Sequence, residues 1–352
     1  MSSVSPLRVL VVDDSAFNRR IVADALSAHS EIEIIGRATD GEDAFRQALT
    51  LKPDVITLDL EMPKMDGFSF LRLLMARQPT PVIVFSSYAQ RENVFKALEL
   101  GALDFVPKPE RLGPDAREVL DELCEKVKLV RSVRSSLVHP PPLRRLTSGA
   151  WTVDGEASDF DQVPESVHPA KSLVVFASST GGPTALLQIF ARLSPTTTAG
   201  FLVAQHMPDK FTRTFAERLD RNGPVRVTEA ESDALVRAGT GFVCPGRQCM
   251  QIGPGLVLKV APSSNEDRYV PSADRLFSSA ATSGIPVTAV VLTGMGDDGL
   301  KGAATIRAAG GTVICESEET AIVNGMPRAI AQAGLANEVL PLPQIADYLA
   351  RL

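Results

Sequence analysis

The sequence predicts two doubly wound α/β domains joined by a linker. Short apolar runs of strand length alternate with segments of helical apolar spacing through the first 110 residues, and the alternation resumes at Lys171. Residues 135–170 contain the run Pro140–Pro142 and little periodicity. Strand–helix alternation is typical of a parallel sheet covered by helices on both faces, and a proline-rich aperiodic stretch is typical of a linker. We therefore expect domains at residues 1–134 and 171–352.

The composition agrees with two domains and argues against several classes of protein. The 352 residues are enough for two separate hydrophobic cores. The formal net charge of -6 gives no support for a nucleic-acid partner. No apolar run reaches about 18 residues, and Met1–Leu7 lacks the layout of a signal peptide. We expect a cytoplasmic protein with no direct membrane insertion.

The four cysteines are widely spaced and none forms a C-x-x-C pair. A metal cluster needs ligands at closer spacing, and a disulfide is not expected in the cytosol. We expect free and mostly buried thiols. The positions are Cys124, Cys244, Cys249 and Cys315.

Five strand–helix units account for the first domain. Each strand-like run is followed by apolar residues at helical spacing. A further helix, over about Pro114–Arg134, carries an apolar stripe through Val119, Leu123, Val127 and Val130. The predicted strands are Arg8–Val12, Glu33–Arg37, Val55–Leu58, Pro81–Phe85 and Asp104–Val106, and the clearest helices after them are Phe17–Ala28, Gly67–Ala76 and Val94–Leu100.

Reactive side chains follow several strands of this domain at their carboxyl ends. Asp13 and Asp14 follow the first strand, Asp59 another, and Ser86 and Lys108 two more. Because parallel strands end at one edge of a sheet, these side chains are expected to converge. Clustered carboxylates repel one another, and Mg²⁺ both relieves that repulsion and often shares its oxygen ligands with phosphoryl groups. Solvation or helix capping would explain one aspartate, but the whole set favours a site that holds a phosphoryl group on Asp59.

Three stretches of the chain resemble the two-component receiver domain: Val12–Ser15, Asp59–Gly67 and Asp104–Pro109. The resemblance covers about residues 7–125 and implies a flavodoxin-like (βα)5 fold. It also implies that Asp59 is the phosphoacceptor and that a histidine kinase is the phosphodonor.

The same resemblance assigns roles to the residues around the phosphoacceptor. Mg²⁺ would be bound by Asp13, Asp14, Asp59 and the backbone carbonyl of Glu61. A second group would respond to phosphorylation and contact the phosphoryl group. Its members are Ser86, Phe105 and Lys108.

The second domain repeats the strand–helix alternation, with one interruption. Gly241–Val260 is predicted to be a short hairpin with Gly253–Gly255 as its turn. No internal repeat relates the two domains. The predicted strands are Leu173–Phe176, Gly200–Gln205, Val287–Leu292 and Thr312–Cys315, and the predicted helices are Thr184–Leu193, Lys210–Arg221, Ser272–Thr282 and Leu300–Ala309.

A strand–turn–helix segment, Leu173–Pro183, presents Ser179 on a glycine-rich turn. Gly181 and Gly182 permit a close approach of the backbone, and Pro183 suits the first helical turn. A serine there lies near helix N-terminal amides, which favour developing negative charge. The lysine of a phosphate-binding loop and the G-x-G-x-x-G pattern of a dinucleotide site are both absent. A plain capped turn remains open on this segment alone.

His206 is the candidate base for this serine. It is the one histidine of the second domain, and it follows a predicted strand at the same sheet edge as Ser179. A lone histidine is more often structural, but this placement favours catalysis. The turn Thr293–Gly299, also at a carboxyl end, would present an acid to orient the imidazole. The sequence does not choose between Asp297 and Asp298.

Several motifs across the whole second domain resemble the CheB family of chemotaxis protein-glutamate methylesterases. The resemblance implies that Ser179, His206 and Asp298 form a catalytic triad, with Thr180 and Met295 as active-site neighbours. The motifs stand in family order. They are Ser179–Gly182, Gln205–Pro208, Phe215–Leu219, Leu292–Gly296, Ala308–Gly311 and Asn324–Arg328.

The sequence departs from the family pattern at three places, none of which replaces a triad member. Ala177 and Ser178 precede Ser179 where the family usually has Gly-Ala. Cys249 stands where a histidine is frequent, and Asp297 where a small residue is common. Alignment on Thr-Gly-Gly favours Ser179 over the adjacent Ser178.

The resemblance implies hydrolysis of glutamate methyl esters, and deamidation of selected glutamines, on methylated chemoreceptor helices, which would reset chemotactic adaptation. The unphosphorylated receiver would restrict access to Ser179, and phosphorylation of Asp59 would relieve the restriction. No cofactor is expected for the esterase. The rival hypothesis is a non-catalytic response regulator whose output domain binds a receptor or signalling partner. A DNA-binding output is disfavoured because no helix-turn-helix pattern or basic stripe is present.

Overall fold

The computed structural model describes residues 5–87, 91–109, 114–133 and 168–352. The chain divides into two compact units, Met1–Leu143 and Arg144–Leu352. Most of the predicted linker, together with the end of the predicted helix at Arg134, lies outside the described residues. Among the helices of the described residues, none has both the length and the apolar character needed to cross a bilayer.

The first unit contains a five-stranded parallel sheet in the order β2-β1-β3-β4-β5. The doubly wound α/β fold predicted for it is confirmed. Its interior strands are buried on both faces, which explains their continuous apolar runs. The elements are β1 (Leu7–Val12), α1 (Ala16–Ser27), β2 (Ile32–Ala38), α2 (Gly41–Leu51), β3 (Val55–Leu58), α3 (Gly67–Arg77), β4 (Val82–Ser86), α4 (Arg91–Glu99), β5 (Asp104–Pro107) and α5 (Pro114–Leu129).

Capping side chains determine where three of these helices begin. Ser15, Asp40 and Asp66 each accept a hydrogen bond from a backbone N–H in the first turn of α1, α2 and α3. Such caps satisfy amides that have no partner inside the helix. Each capping residue thus fixes the position at which its helix begins, at the end of the loop that follows the preceding strand.

The second unit contains a seven-stranded parallel sheet in the order β14-β13-β12-β6-β7-β9-β8. Strand β6 is central, with β7 on one side and β12 on the other, so the chain reverses its direction of winding there. Ligands of open α/β sheets bind at such a point. The main elements are β6 (Ser172–Ser178), α6 (Gly182–Phe190), β7 (Ala199–Gln205), α7 (Asp209–Asn222), β8 (Arg226–Glu229), β9 (Thr240–Val243), β10 (Gln248–Ile252), β11 (Leu258–Pro262), α8 (Ala273–Ala280), β12 (Val287–Val291), α9 (Leu300–Ala308), β13 (Thr312–Glu316), α10 (Met326–Gln332), β14 (Glu338–Leu340) and α11 (Leu342–Leu349).

The predicted hairpin over Gly241–Val260 is wrong at its start. Residues Thr240–Val243 form β9, a strand of the main sheet that pairs in parallel with both β7 and β8. The hairpin itself is β10 and β11, an antiparallel pair that begins at Gln248. A four-residue strand containing a glycine carries too little apolar periodicity to be separated from a hairpin by its sequence.

Aromatic packing fixes the strands that carry the candidate site. The rings of Phe176 and Phe190 lie 5.8 Å apart between centroids, as do those of Phe190 and Phe201. All three side chains are fully buried. Because they belong to β6, α6 and β7, this packing holds the ends of β6 and β7 in a fixed relation. The four cysteines of the chain are also buried, as expected.

Candidate active site and phosphorylation site

The predicted acidic cluster of the first unit is present at the carboxyl edge of its sheet. One carboxylate oxygen from each of Asp13, Asp14 and Asp59 lies within 4.8 Å of the others. Asp13 and Asp59 are buried, and Asp14 is exposed. The ammonium group of Lys108 pairs with Asp59 and lies 2.8 Å from Asp13 Oδ2. The structure therefore brings together four of the residues that the sequence assigned to this site.

The electrostatics of the cluster suit a bound cation. Burial raises the pKa of Asp59 above its ordinary value of 3.8 by more than the ion pair with Lys108 lowers it, and repulsion from Asp13 raises it further. Burial opposes the charge of Lys108, but Asp59 and Asp13 outweigh it and raise the pKa of the lysine. One ammonium group thus balances two buried carboxylates only in part.

The donor set also fits Mg²⁺. Asp13 Oδ2 is buried and, although it faces Lys108, it accepts no hydrogen bond of good geometry from the described residues. A buried carboxylate oxygen left in this state is suited to ligate a cation. Three convergent carboxylates are the hard oxygen ligands that Mg²⁺ prefers. Glu61, whose backbone carbonyl was expected to join them, lies in the exposed loop after β3.

The predicted switch residues lie on the two strands beside this cluster. Ser86 ends β4 and Phe105 lies in β5, and both are buried. The ring of Phe105 packs edge-on against Phe95 of α4, with 6.3 Å between centroids. Its carbonyl accepts a hydrogen bond of 2.7 Å from Lys126 Nζ of α5. Strand β5 is thereby connected to α4 and α5.

In the second unit, Ser179 lies on the turn between β6 and α6. Its N–H donates to the carbonyl of Thr293, 3.0 Å away, and its carbonyl accepts from the N–H of Gly182 at 2.8 Å. Gly181 has a φ of 80° at the start of α6. A Cβ at Gly181 would meet Ile322 Cδ1 at 2.8 Å, so the turn needs glycine for both its dihedral angle and its packing.

The two adjacent serines differ in what their hydroxyls do. Ser178 is fully buried, and its Oγ donates to Gln205 Oε1 at 2.6 Å. Gln205 Nε2 in turn donates to the carbonyls of Ser179 and His206, at 2.9 and 3.0 Å. Ser179 is half-buried. The Ser178 hydroxyl is therefore part of a buried network that ties the serine turn to the histidine, whereas Ser179 has access to solvent.

His206 and Asp298 form the shortest contact of the candidate triad. His206 Nε2 lies 2.8 Å from Asp298 Oδ2. Asp298 is buried and accepts three further hydrogen bonds, from the N–H groups of Ala273, Asp274 and Gly299. Two of these donors belong to the N-terminus of α8, whose dipole favours a negative charge. The aspartate is thus held as an acceptor that orients the imidazole.

The remaining assigned residues surround this pair. Among the described residues, Ser179 Oγ has no hydrogen bond to His206, a contact that often tightens only when substrate binds. Thr180 is buried, and its carbonyl accepts from Thr293 Oγ1 at 2.8 Å. Met295 is 40% exposed, which makes it available to a ligand. Asp297 is only half-buried and bonds to Arg268 and Tyr269 rather than to His206.

A buried carboxylate, Glu316, supports the serine turn from behind. It ends β13, and its Oε2 accepts a hydrogen bond of 2.8 Å from the N–H of Thr293. Thr293 then accepts from Ser179 through its carbonyl. Burial raises the pKa of Glu316 to about 7, against the opposing hydrogen bond from the N–H of Thr293. A neutral carboxyl group is therefore favoured over much of the acidic range.

Glu316 predicts a pH dependence of stability with a definite sign. Its pKa in the folded chain is raised from 4.5 to about 7, so the folded state binds the proton more tightly and stability is lost as pH rises through this window. The full loss would be at most about 3 kcal/mol. Glu316→Gln keeps an acceptor for Thr293 without an ionisable group. Calorimetry of the full chain at pH 5.5 and pH 8 should show the variant gaining stability over wild type mainly at pH 8.

The exposed Glu319 provides the matched control for this comparison. Glu319→Gln should keep the wild-type pH dependence. The same pH dependence in Glu316→Gln would show that Glu316 does not titrate in this range.

Sequence reasoning assigns no role of their own to three residues of this network: Gln205, Thr293 and Glu316. The sequence offers one signal for them, because all three lie at or just beyond the carboxyl end of a sheet strand. Their roles depend on hydrogen bonds across β6, β7, β12 and β13, which periodicity does not report.

Comparison with known proteins places both units in described families. Residues 174–349 match the family model for the CheB methylesterase, and residues 9–119 match the response regulator receiver domain. The chain is thus a two-domain response regulator with an enzymatic output domain.

Curated relatives match along the whole chain. Protein-glutamate methylesterase/protein-glutamine glutaminase 1 of Myxococcus xanthus is 46% identical, over 100% of this chain and 99% of its own length. Protein-glutamate methylesterase/protein-glutamine glutaminase 6 of Anaeromyxobacter dehalogenans is 46% identical, over 97% and 95%. The crystal structure of the Thermotoga maritima CheB methylesterase catalytic domain is 37% identical, with a TM-score of 0.49, and covers 52% of this chain and 98% of that one. This chain belongs to the CheB methylesterase family.

Proposed function

We propose that the chain is a cytoplasmic, phosphorylation-activated serine hydrolase that removes methyl groups from glutamate methyl esters of chemoreceptors and deamidates selected receptor glutamines. The observation that carries the proposal is the bond between His206 and the buried Asp298 at the sheet edge that also presents Ser179. The family membership supports the substrate class. The domains would be a receiver at 1–134, a linker at 135–170 and an esterase at 171–352.

The proposed mechanism follows from the geometry of these three residues. Because Nε2 of His206 faces Asp298, the other nitrogen, Nδ1, is the one available to take the proton of Ser179 Oγ. The serine oxygen attacks the γ-carbonyl of the modified side chain. Amides of the turn stabilise the resulting oxyanion, and each such donor is worth about 3 kcal/mol.

Collapse of the tetrahedral intermediate breaks the bond to the leaving group. Methanol, or ammonia from a glutamine, departs with the proton held by His206, which leaves an acyl group on Ser179. Water then attacks the acyl group with His206 again as base, and the products are glutamate and free serine. One triad serves both reactions because they differ only in the leaving group.

The receiver would control this reaction through Asp59. A histidine kinase would supply the phosphoryl group, and Asp13, Asp14, Asp59 and the carbonyl of Glu61 would hold Mg²⁺. When bound, the metal neutralises negative charge that develops on the transferred phosphoryl group. Lys108 would hold a phosphoryl oxygen, and Ser86 with Phe105 would respond to it.

Replacing Asp59 by asparagine is predicted to remove phosphorylation and, with it, activation. The amide cannot accept a phosphoryl group as an acyl phosphate. With a small phosphodonor and Mg²⁺, wild type should incorporate a hydroxylamine-labile phosphoryl group and accelerate, while Asp59→Asn should stay at its unphosphorylated rate. The exposed Asp24 of α1 is the matched control, since Asp24→Asn should behave as wild type. Activation of Asp59→Asn equal to that of wild type would overturn the assignment.

Product analysis tests the catalytic proposal against the rival reading. The full chain is incubated with receptor membranes that carry methylated glutamates and target glutamines. The masses of the receptor peptides are then measured by mass spectrometry. Conversion of both side chains to glutamate is expected. Binding of the membranes without any conversion would favour the rival, an output domain that only binds its partner.

A further inference from the structure

Tyr269 lies flat against the candidate base. Its ring is parallel to the imidazole of His206, with 5° between the planes and 5.4 Å between the centroids. Offset parallel stacking of this kind is a favourable aromatic arrangement. Tyr269 belongs to the loop of residues 263–272, which joins β11 to α8. The loop therefore supplies one wall of the site.

The hydroxyl of Tyr269 is fastened to the turn that carries Asp298. It donates a hydrogen bond of 2.9 Å to Asp297 Oδ1. The same oxygen lies 3.1 Å from Arg268 Nη1, and the guanidinium carbon of Arg268 lies 5.0 Å from the Tyr269 centroid. A Cβ on Gly296 would meet the hydroxyl at 2.3 Å, so glycine at that position makes room for the tyrosine.

The loop is anchored at a second place. Asp267 forms an ion pair of 2.6 Å with Arg275 of α8, and its side chain accepts from the N–H of Ser264. Arg275 also donates to Ser264 Oγ at 2.8 Å. These contacts hold the loop against the helix whose N-terminus binds Asp298. The loop is thus held both at Ser264 and Asp267 and at Tyr269 itself.

The contact with Asp298 alone leaves the imidazole of His206 free to rotate. A single hydrogen bond at Nε2 fixes that atom, but the ring can still turn about it and swing Nδ1 away from Ser179. A parallel aromatic face opposes any rotation that tilts the imidazole plane, because tilting would break the stack. Holding a base in its reactive orientation is a major source of rate, and a misplacement of about 1 Å costs on the order of 10²-fold.

We propose that Tyr269 is a positioning residue for the base His206, and that Asp297 holds Tyr269 in place. This rests on the proposed function. It also gives a role to Asp297, one of the places at which the chain departs from the family pattern.

The kinetic test compares Tyr269→Ala and Tyr269→Phe in the full chain. The alanine variant loses the stack, and kcat for methanol release should fall on the order of 10- to 100-fold, with KM within about threefold of wild type. The phenylalanine variant keeps the ring but loses the bond to Asp297; because Asp267 and Arg275 still hold the loop, kcat should recover to within about threefold of wild type. Tyr348 of α11 offers the matched control, since Tyr348→Phe changes a tyrosine far along the chain from the site. A phenylalanine variant as slow as the alanine variant, or a wild-type kcat in Tyr269→Ala, would overturn the proposal.

Volume and fold are controlled by a third variant and by spectroscopy. Tyr269→Leu fills the space without an aromatic face, and its kcat should be as low as that of Tyr269→Ala. If the alanine variant folds poorly, the leucine variant takes its place in the comparison. The ring proton of His206 shared with Asp298 should give a sharp low-field NMR resonance in wild type and Tyr269→Phe, and a broadened one in Tyr269→Leu. Equal line widths in all three would contradict positioning. This readout needs no substrate, so it separates failure of the positioning role from failure of the esterase assignment.

Discussion

Replacing Ser179 by alanine is expected to abolish release of methanol from methylated receptors, with a fall in kcat on the order of 10⁴-fold or more. The variant lacks the oxygen that forms the acyl intermediate. The fold should be retained, because the hydrogen bonds that shape the turn use the backbone of Ser179 rather than its hydroxyl.

The adjacent Ser178 is the natural control for this prediction. Its hydroxyl donates to the buried Gln205, so Ser178→Ala leaves one acceptor unpaired and should cost about 1–3 kcal/mol of stability. Activity should persist in the folded fraction. Methanol release and thermal unfolding are measured for both variants in the full chain. Retained activity in Ser179→Ala, with loss in Ser178→Ala, would transfer the nucleophile to Ser178.

Replacing Asp298 by asparagine is expected to lower kcat on the order of 10³- to 10⁴-fold while leaving the turn intact. With its carbonyl oxygen in the place of Oδ1, asparagine can still accept from the N–H groups of Asp274 and Gly299, although the N–H of Ala273 loses its acceptor. Its NH₂ group cannot accept the proton on His206 Nε2. The imidazole then favours the tautomer with its proton on Nδ1, and in that form it cannot take the proton of Ser179.

The exposed Asp233 serves as the control for this substitution. Its φ of 68° lies in the left-handed region, which asparagine adopts readily, so Asp233→Asn should keep both fold and activity. Initial rates of methanol release and near-UV circular dichroism are compared for the two variants. An Asp298→Asn enzyme within about tenfold of wild type would show that Asp298 does not orient the base.

The sequence predicts most of the sheet of each unit, because buried parallel strands are continuous apolar runs ended by glycine, proline or polar residues. The strand Val55–Leu58 is predicted to the residue, and Val287–Leu292 to within one. Short strands carry no such signal. The sequence places β9 in a hairpin, and it predicts no strand at β8 or β14, which lie on the edges of the sheet.

The candidate site was predictable in position but not in detail. The rule that parallel strands end at one edge brought together Ser179, His206 and the Thr293–Gly299 turn. Selecting Asp298 over Asp297 required the family resemblance, since both follow the same glycines. In the structure the two aspartates have different hydrogen-bond partners: Asp298 bonds to His206, and Asp297 bonds to Tyr269. Such partners depend on side-chain directions and loop packing, which spacing along the chain does not encode.

The time course of methanol release from methylated receptor membranes, recorded before and after addition of a small phosphodonor, tests the central claim most directly. Wild type should release methanol slowly at first and accelerate after the addition, in step with phosphorylation of Asp59. Ser179→Ala should become phosphorylated and release none at either stage. A wild-type rate that stays constant while Asp59 becomes phosphorylated, or release by Ser179→Ala at the wild-type rate, would contradict the account.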